Sequence, residues 1–415
     1  MGFRISLMAR KELAKSKAEE YRKASKRRKG EILDALCENT GWSRDNARRQ
    51  LKRALTKRDE KKTKRRRLKY SDRARQVLTN AWVLAGTPCG QYLAWMIKDG
   101  LLERLTKTKS LKDSRKNSGA DVLADDPAVK EIKQMSSATI DRYLKDPRRK
   151  LEPLSKATTK QSTSPLRDEI PFGKSYAGVD RVGYLSTDTV AHCGNTMKGD
   201  HIWTLNSTDV QSGWSVTASI PGRARKWIKE GHEHILASMP FAVIAVNYDG
   251  GSEFINYEMM DYSVLHNYQM TRSRPYHKND NAHIEQKNFD IVRRHAFRYR
   301  YEGSAALRLL NELWYWVGLR KNFLMPTRKR IGHTTTKSGR TRGVYDKPKT
   351  PYRRLMESQF VTKATKKELT KVYQSLNDAE ITKAINRLQL ELLELVTDKN
   401  LLEYISEVIE ALQVA

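Results

Sequence analysis

Phe241-Ala-Val-Ile-Ala-Val-Asn-Tyr-Asp249 is a continuous apolar run that ends on a carboxylate, and Gly250-Gly-Ser-Glu-Phe254 follows it. A short apolar run stopped by glycines reads as a buried strand. The C-terminal end of such a strand is where ligands gather in α/β sheets. Further strand-like segments lie at Gly183–Val190, Ile202–Thr208, Ser215–Ile220 and Gln269–Ser273. Helical spacing appears at Arg223–Ser238, Ser252–His266, Asn281–Arg298 and Ala305–Phe323. Three strands, then alternating helices and strands, predict a mixed five-stranded sheet flanked by helices.

Two more carboxylates stand in comparable settings. Asp188 interrupts the apolar stretch Gly183-Tyr-Leu-Ser-Thr-Asp-Thr-Val-Ala191. Asp is disfavoured inside strands, so it asks for a reason, either a metal site or a strand-edge hydrogen bond. Glu285 lies in Tyr276-His-Lys-Asn-Asp-Asn-Ala-His-Ile-Glu-Gln-Lys287, one turn into a helix that Asn279 or Asp280 would cap. Phe289, Val292 and Ala296 are expected on the same side of that helix. The separation of Asp249 and Glu285 is 285 − 249 = 36 positions. Three hard oxygen donors can hold two divalent cations about 3.5–4 Å apart, an arrangement suited to phosphodiester chemistry. The competing polar residues have plainer readings. Asp209 before Gly213 reads as a hairpin Asp. Glu253, with Ser252, reads as a helix cap. His192 and His283 read as structural or DNA-contacting, and Trp314 and Trp316 as core.

The phrases Asp188-Thr-Val-Ala-His-Cys-Gly194, Asp249-Gly-Gly-Ser-Glu-Phe254 and Ser273-Arg-Pro-Tyr-His-Lys-Asn-Asp-Asn-Ala-His-Ile-Glu-Gln-Lys-Asn288 carry a resemblance. Over roughly residues 170–355 the chain resembles the retroviral-integrase superfamily, and most of all the bacterial insertion-sequence transposases with an integrase core. Many relatives have Asn after the second Asp, where this chain has Gly250. The resemblance implies an RNase H-like fold with Asp188, Asp249 and Glu285 as catalytic residues and ligands of two Mg2+ or Mn2+ ions. It also implies a DNA transposase that cuts element ends to a 3′-hydroxyl and joins them to target DNA, acting as a dimer or higher oligomer. Two other readings stay open: a catalytically silent DNA-binding regulator derived from such an enzyme, and a metal-dependent nuclease.

Charge points the same way. The 415 residues carry a formal net charge of +31, which calls for a polyanionic partner, most simply double-stranded DNA. No run of eighteen apolar residues exists, so no membrane partner is expected. Three scattered cysteines, Cys37, Cys89 and Cys193, suit a reducing cytoplasm, and the resemblance implies a bacterial, nucleoid-associated protein. All nine histidines fall between His192 and His333, so the N-terminal region holds no His/Cys zinc site.

The first 70 residues hold 25 Lys/Arg against 9 Asp/Glu. Within them Gly30–Cys37 has helical spacing, Thr40-Gly41 breaks it, and Ser43 is a good N-cap for Arg44–Leu55. Ala47, Leu51 and Leu55 would face inward and Arg44, Arg48, Arg49 and Lys52 outward, as in a helix-turn-helix. The stretch 56–69 has nine basic residues in fourteen, Arg65, Arg66 and Arg67 among them, and reads as a phosphate-tracking linker. Residues 71–146 predict a second helical unit, read as a second helix-turn-helix for DNA or else as a purely structural helical hairpin. Its parts are a helix capped by Ser71, a helix over Gln91–Leu105, a flexible insertion over Thr106–Ala120, a helix started by Asp126-Pro127, and one capped by Ser137 that presents Thr139 and Arg142 to DNA. Tyr276, Lys278, Asn281, Lys287, Arg293 and Arg294 are placed to hold phosphates near Glu285. Residues 328–354 carry ten Lys/Arg, including Arg340 and Arg342, and one acid, Asp346, as an extended DNA-contacting segment. The expected domains are 1–56, a basic linker 57–70, 71–146, a linker 147–172, a catalytic core 173–327, a basic segment 328–363, and C-terminal helices 364–415. The last region reads equally as a self-association element or a cap on the core.

Overall fold

A computed structural model describes residues 7–55, 69–113, 120–150, 179–248, 253–273, 284–335 and 341–396. The chain divides into two compact units, one up to Lys69 and one from Tyr70.

The first unit is three helices: α1 (Leu7–Lys23), α2 (Lys26–Thr40) and α3 (Arg44–Leu55). The Ser25 hydroxyl caps α2, Gly41 ends it, and the Ser43 hydroxyl accepts from Asn46 N at 3.3 Å to start α3. The apolar spacing closes a small core of Ala18, Ile32, Leu33, Leu36, Ala47 and Leu51. The helix α1 had no counterpart in the sequence reading. Its long polar face hides the two alanines it buries, Ala14 and Ala18.

The second unit opens with helices α4 (Asp72–Leu84), α5 (Gly90–Lys98) and α6 (Leu101–Lys107). A two-residue pairing of β1 (Lys112–Asp113) with β2 (Ala120–Asp121) follows, then α7 (Pro127–Lys133), α8 (Ser137–Tyr143) and α9 (Lys145–Lys150). Three expectations are corrected here. The helix over Gln91–Leu105 is two helices, because Gly100 takes φ 89°, a left-handed turn that a helix interior does not contain. Within the segment expected as a flexible insertion, Lys112 pairs with Asp121 and Asp113 with Ala120. The cap of α8 is Ser136, whose extended backbone lets its hydroxyl accept from Thr139 N at 3.3 Å.

A five-stranded sheet follows, built from β3 (Tyr184–Ala191), β4 (Trp203–Asp209), β5 (Ser215–Ile220), β6 (Ala245–Tyr248) and β7 (Gln269–Arg272), in the order β5-β4-β3-β6-β7. The pairs β3–β4 and β4–β5 are antiparallel, whereas β3–β6 and β6–β7 are parallel. Parallel neighbours need long crossovers, which α10 (Arg225–Ala237) and α11 (Tyr257–Leu265) provide. Every residue of β4 and β6 is buried, as expected of strands covered on both faces. Of the long apolar run, Ala245–Tyr248 forms the strand.

A helix over residues 284–296 (α12) is wound as π-helix at Asn288–Arg293. It leads to α13 (Gly303–Leu319) with a π-helical end at Arg320–Leu324. A hairpin of β8 (Arg330–Thr335) and β9 (Thr341–Tyr345) precedes α14 (Pro351–Glu357), α15 (Lys363–Ser375) and α16 (Asp378–Glu394). The α16 face of Ile381, Ile385, Leu388 and Leu392 is buried in the sheet's core cluster, so this helix is a cap on the core. It also ties the helical module to the sheet. Asp378 pairs with Arg104 at 2.8 Å, and the Thr382 hydroxyl donates to Leu84 O at 2.7 Å. Among the described residues no helix is long and apolar enough to cross a membrane.

Gly183 fixes where β6 meets β3. Its carbonyl accepts from Ile244 N (2.7 Å) and Ala245 N (3.1 Å), and its own N–H donates to Asp209 Oδ1 at 2.8 Å. At φ 107° an added Cβ would stand 2.6 Å from the Ala242 carbonyl oxygen. We therefore expect Gly183→Ala to destabilise the second unit by about 2 kcal/mol or more in urea unfolding. A wild-type midpoint would contradict that placement.

Candidate functional site

Asp188 stands on the central strand β3, partly exposed, opposite Asn206 of β4. One carboxylate oxygen accepts from Thr189 N at 2.7 Å. The other accepts from Asn288 Nδ2 at 2.6 Å. A carboxylate only accepts, so this contact fixes the whole amide relay behind it. Asn288 must turn Nδ2 to Asp188 and its Oδ1 to Asn206 Nδ2, at 2.8 Å. Asn206 then presents Oδ1 to the Thr217 hydroxyl, at 3.3 Å. Three strand residues and one helix residue thus hold one acid.

The helix that supplies Asn288 also carries Glu285, which is exposed three positions earlier. Asp249 lies outside the described residues. The residue before it, Tyr248, pairs with Thr187, the residue before Asp188. Among the described residues no cluster of three or more His, Cys, Asp and Glu side chains is placed to hold a metal.

The π-helical winding of α12 changes which side chains share a face, because one turn takes more residues than in an α-helix. Val292 and Ala296 are buried as expected, but Phe289 is 60 % exposed and does not share their face. Below the helix is a charge cluster in which only Lys321 is buried outright. Asp290 pairs with Lys321 at 2.7 Å. Burial alone would raise the Asp290 carboxyl, yet Lys321 and then Lys287 outweigh it and hold it below the ordinary carboxylate range. Burial lowers Lys287 to about 8, with Asp290 opposing the shift, and its ammonium donates to Gly213 O at 3.3 Å.

The other anticipated residues fall in several places. Arg293 donates to Ala191 O at 2.9 Å, and Arg294 to Thr87 O at 3.0 Å. Arg44, Arg48, Arg49 and Lys52 are all exposed on α3, where Arg44 pairs with Asp34 and Arg48 with Asp45. Thr139 shares a hydrogen bond with Ser136 at 3.0 Å, and Arg142 is exposed on α8. Arg342 is exposed on β9. Arg65, Arg66, Arg67, Tyr276, Lys278, Asn281, His283 and Arg340 lie outside the described residues.

His192 is buried and bonded to the Thr204 hydroxyl at 2.7 Å; burial, with Arg293 and His201 nearby, lowers it to about 3, which leaves it neutral and structural. Asp209 is the hairpin residue expected, accepting from Gly183 N, Ser212 N and the Ser212 hydroxyl. Trp314 is core, its indole N–H on Ser219 Oγ at 2.7 Å. Glu253 is a correction. Asn256, not Ser252 or Glu253, caps α11 through Met259 N, because Asn256 is the residue in extended conformation just before the first turn. Glu253 instead accepts from the Thr189 hydroxyl at 3.2 Å and faces Arg223 at 3.9 Å. Neither that contact nor the Asn288 relay had a signal in the sequence, since both depend on tertiary pairing.

No protein-family profile matches the chain. Uncharacterized protein y4rM of Sinorhizobium fredii is 28% identical over 335 residues, which cover 79% of this chain and 90% of that one. Among solved structures, the catalytic core domain of BIV integrase aligns at TM-score 0.21 with 13% identity, over 26% of this chain and 65% of that chain. The simian T-cell lymphotropic virus intasome in complex with PP2A regulatory subunit B56 gamma aligns at TM-score 0.25 with 14% identity, over 41% of this chain and 55% of that one. The chain therefore spans less than two thirds of either solved chain. At these scores the alignments add nothing to the strand order. The mixed five-stranded sheet with flanking helices fits an RNase H-like core.

The relay makes a prediction. Asn288→Ala removes the amide from Asp188 and should weaken Mn2+-dependent thermal stabilisation about tenfold in apparent Kd, as loss of an outer partner of a metal ligand does. The metal-free Tm should fall by only a few degrees. Unchanged Mn2+ dependence would remove Asn288 from the site.

Proposed function

We propose that the protein is a DNA transposase whose catalytic residues are Asp188, Asp249 and Glu285. The observation that carries this reading is the bond from Asn288, on the Glu285 helix, to Asp188, on the central strand, beside the strand that leads to Asp249. A partly exposed acid in mid-sheet that accepts from Thr189 N and Asn288 Nδ2 suits a hard divalent cation better than a packing role. These oxygen donors fit Mg2+ or Mn2+, and Asp188, Asp249 and Glu285 would hold them. Such ions, when bound, acidify an attacking oxygen and steady a leaving one.

The chain's own groups do the rest. Asn288 and Thr189 N fix the rotamer of Asp188, so its ligand geometry needs no rearrangement. Glu285 projects from a helix anchored by the Asp290–Lys321 pair, so it is held at a fixed distance from the sheet. The reaction at an element end is attack by water on phosphorus, with departure of the bridging 3′-oxygen, which takes up a proton. The freed 3′-hydroxyl then attacks a target phosphodiester: one P–O bond forms, one breaks, and the count of bonds is unchanged. No nucleotide cofactor is consumed. The exposed cations of α3 suit recognition of terminal repeats as a helix-turn-helix, and two ends joined together imply at least a dimer on duplex DNA.

The test uses pre-cut element-end DNA, supercoiled target and Mg2+ or Mn2+. Wild type should give joined products, and Asp188→Asn and Glu285→Gln should each lower the yield at least about 10³-fold while end binding persists. Nicking without joining would indicate a nuclease, and tight binding without either reaction a regulator. Joining by both variants at the wild-type rate would overturn the assignment.

A further inference from the structure

The β8–β9 hairpin is built unlike the rest of the second unit. It is a sheet of its own, paired through His333↔Gly343, Thr334↔Arg342 and Thr335↔Thr341. Apart from its two glycines, every described residue of both strands is exposed, so neither face rests on a core. A two-stranded ribbon with two wet faces is marginal in water by itself. Its root, by contrast, is clamped. Lys329 N donates to Asp346 Oδ1 at 2.6 Å and Asp346 N to Lys329 O at 2.9 Å. Arg354 pairs with Asp346 Oδ2 at 2.6 Å, and Arg328 Nε donates to Asp346 O at 3.0 Å. Asp346 is the one acid between Arg328 and Arg354, and it is spent at the root. From Arg330 to Tyr345 the sequence has four Lys/Arg, four threonines and no acid.

Resting on the DNA-directed reading above, we propose that this ribbon is an arm that enters the major groove of duplex DNA. The groove, about 12 Å wide, admits a two-stranded ribbon, whereas the minor groove is about half as wide. Strands of five to six residues run roughly 17–20 Å, long enough to follow a groove across about half a helical turn. Arg330 and Arg342 supply the attraction to phosphates and guanine edges. The hydroxyls of Thr334, Thr335 and Thr341 suit both phosphate oxygens and base edges. Three apolar side chains, Ile331, Val344 and Tyr345, are too few to seat the ribbon in a membrane. The clamp at Asp346 sets the direction of the arm, and DNA supplies the surface that both faces lack.

The experiment takes the full chain in EDTA, where nothing is cut, with a fluorescein-labelled 30-bp duplex of mixed sequence. Two variants are compared with wild type: Arg330→Ala/Arg342→Ala, and a trimmed arm in which Asn-Gly replaces residues 331–344. Both should keep the wild-type Tm within a few degrees, because the arm covers no core. The double variant should bind at least about tenfold more weakly, with the slope of log K against log salt reduced by about 2. Wild type should shield guanine N7 from dimethyl sulfate over a short tract, and both variants should lose that protection. Unchanged affinity and slope would overturn the proposal. So would weakened binding with no N7 protection by wild type, or binding of anionic phosphatidylserine vesicles through the arm in place of duplex. A chain that shields N7 through the arm yet never joins DNA would leave the arm standing and remove the transposase.

Discussion

A carboxylate in the middle of a central strand has to be held. Asp188 faces this problem on β3, with β4 on one side and β6 on the other. The protein answers it with an amide chain that runs through one helix residue, returns to β4 and ends on β5. Because a carboxylate accepts and never donates, its presence dictates the orientation of Asn288, then Asn206, then the Thr217 hydroxyl. The helix bearing Glu285 is thereby referred to the same acid as the sheet. Loss of one partner would leave buried amide groups unsatisfied, at a cost of about 1–3 kcal/mol each, so the relay stands or falls together.

The same helix is held from beneath by charge. Asp290, its side chain 35 % exposed, pairs with the buried Lys321, so water screens the pair and its worth is nearer that of a surface ion pair, about 1 kcal/mol. Arg320 donates to Thr382 at 2.6 Å, and Thr382 in turn reaches Leu84 O. Arg294 reaches Thr87. The helical module of α4–α9 is therefore joined to the sheet through polar contacts of α12, α13 and α16, as well as through Met325 and Ala379 in its own apolar cluster. The described residues from Tyr70 onward form one compact unit.

Much of the sheet was legible because its signal is local. Ser215–Ile220 was found to the residue, and β3, β4 and β7 within one residue at each end, since period and apolar runs survive in the sequence. The strand expected from Phe241 shrank to Ala245–Tyr248, because apolarity marks burial and does not by itself mark ladder pairing. Asp188 was legible as an anomaly in a strand. Its partner Asn288 was not, since a bond spanning 100 positions leaves no spacing signature. The π-helical turn at Asn288–Arg293 was likewise invisible, and with it the exposure of Phe289. Glu253 was misread for a related reason: a carboxylate just before a helix resembles a cap, and only the fold shows that Asn256 holds that position. The hairpin at Arg330–Tyr345 was read as extended chain because its cations announced a partner and hid its alternation.

The claim at the centre of this account is that Asp188 and Glu285 act on the same divalent ions. Diffraction from crystals soaked in millimolar Mn2+, recorded where manganese scatters anomalously, tests it most directly. Two anomalous peaks about 3.5–4 Å apart are expected, within coordination distance of Asp188 and Glu285. Manganese bound elsewhere, or none within coordination distance of Asp188, would contradict it.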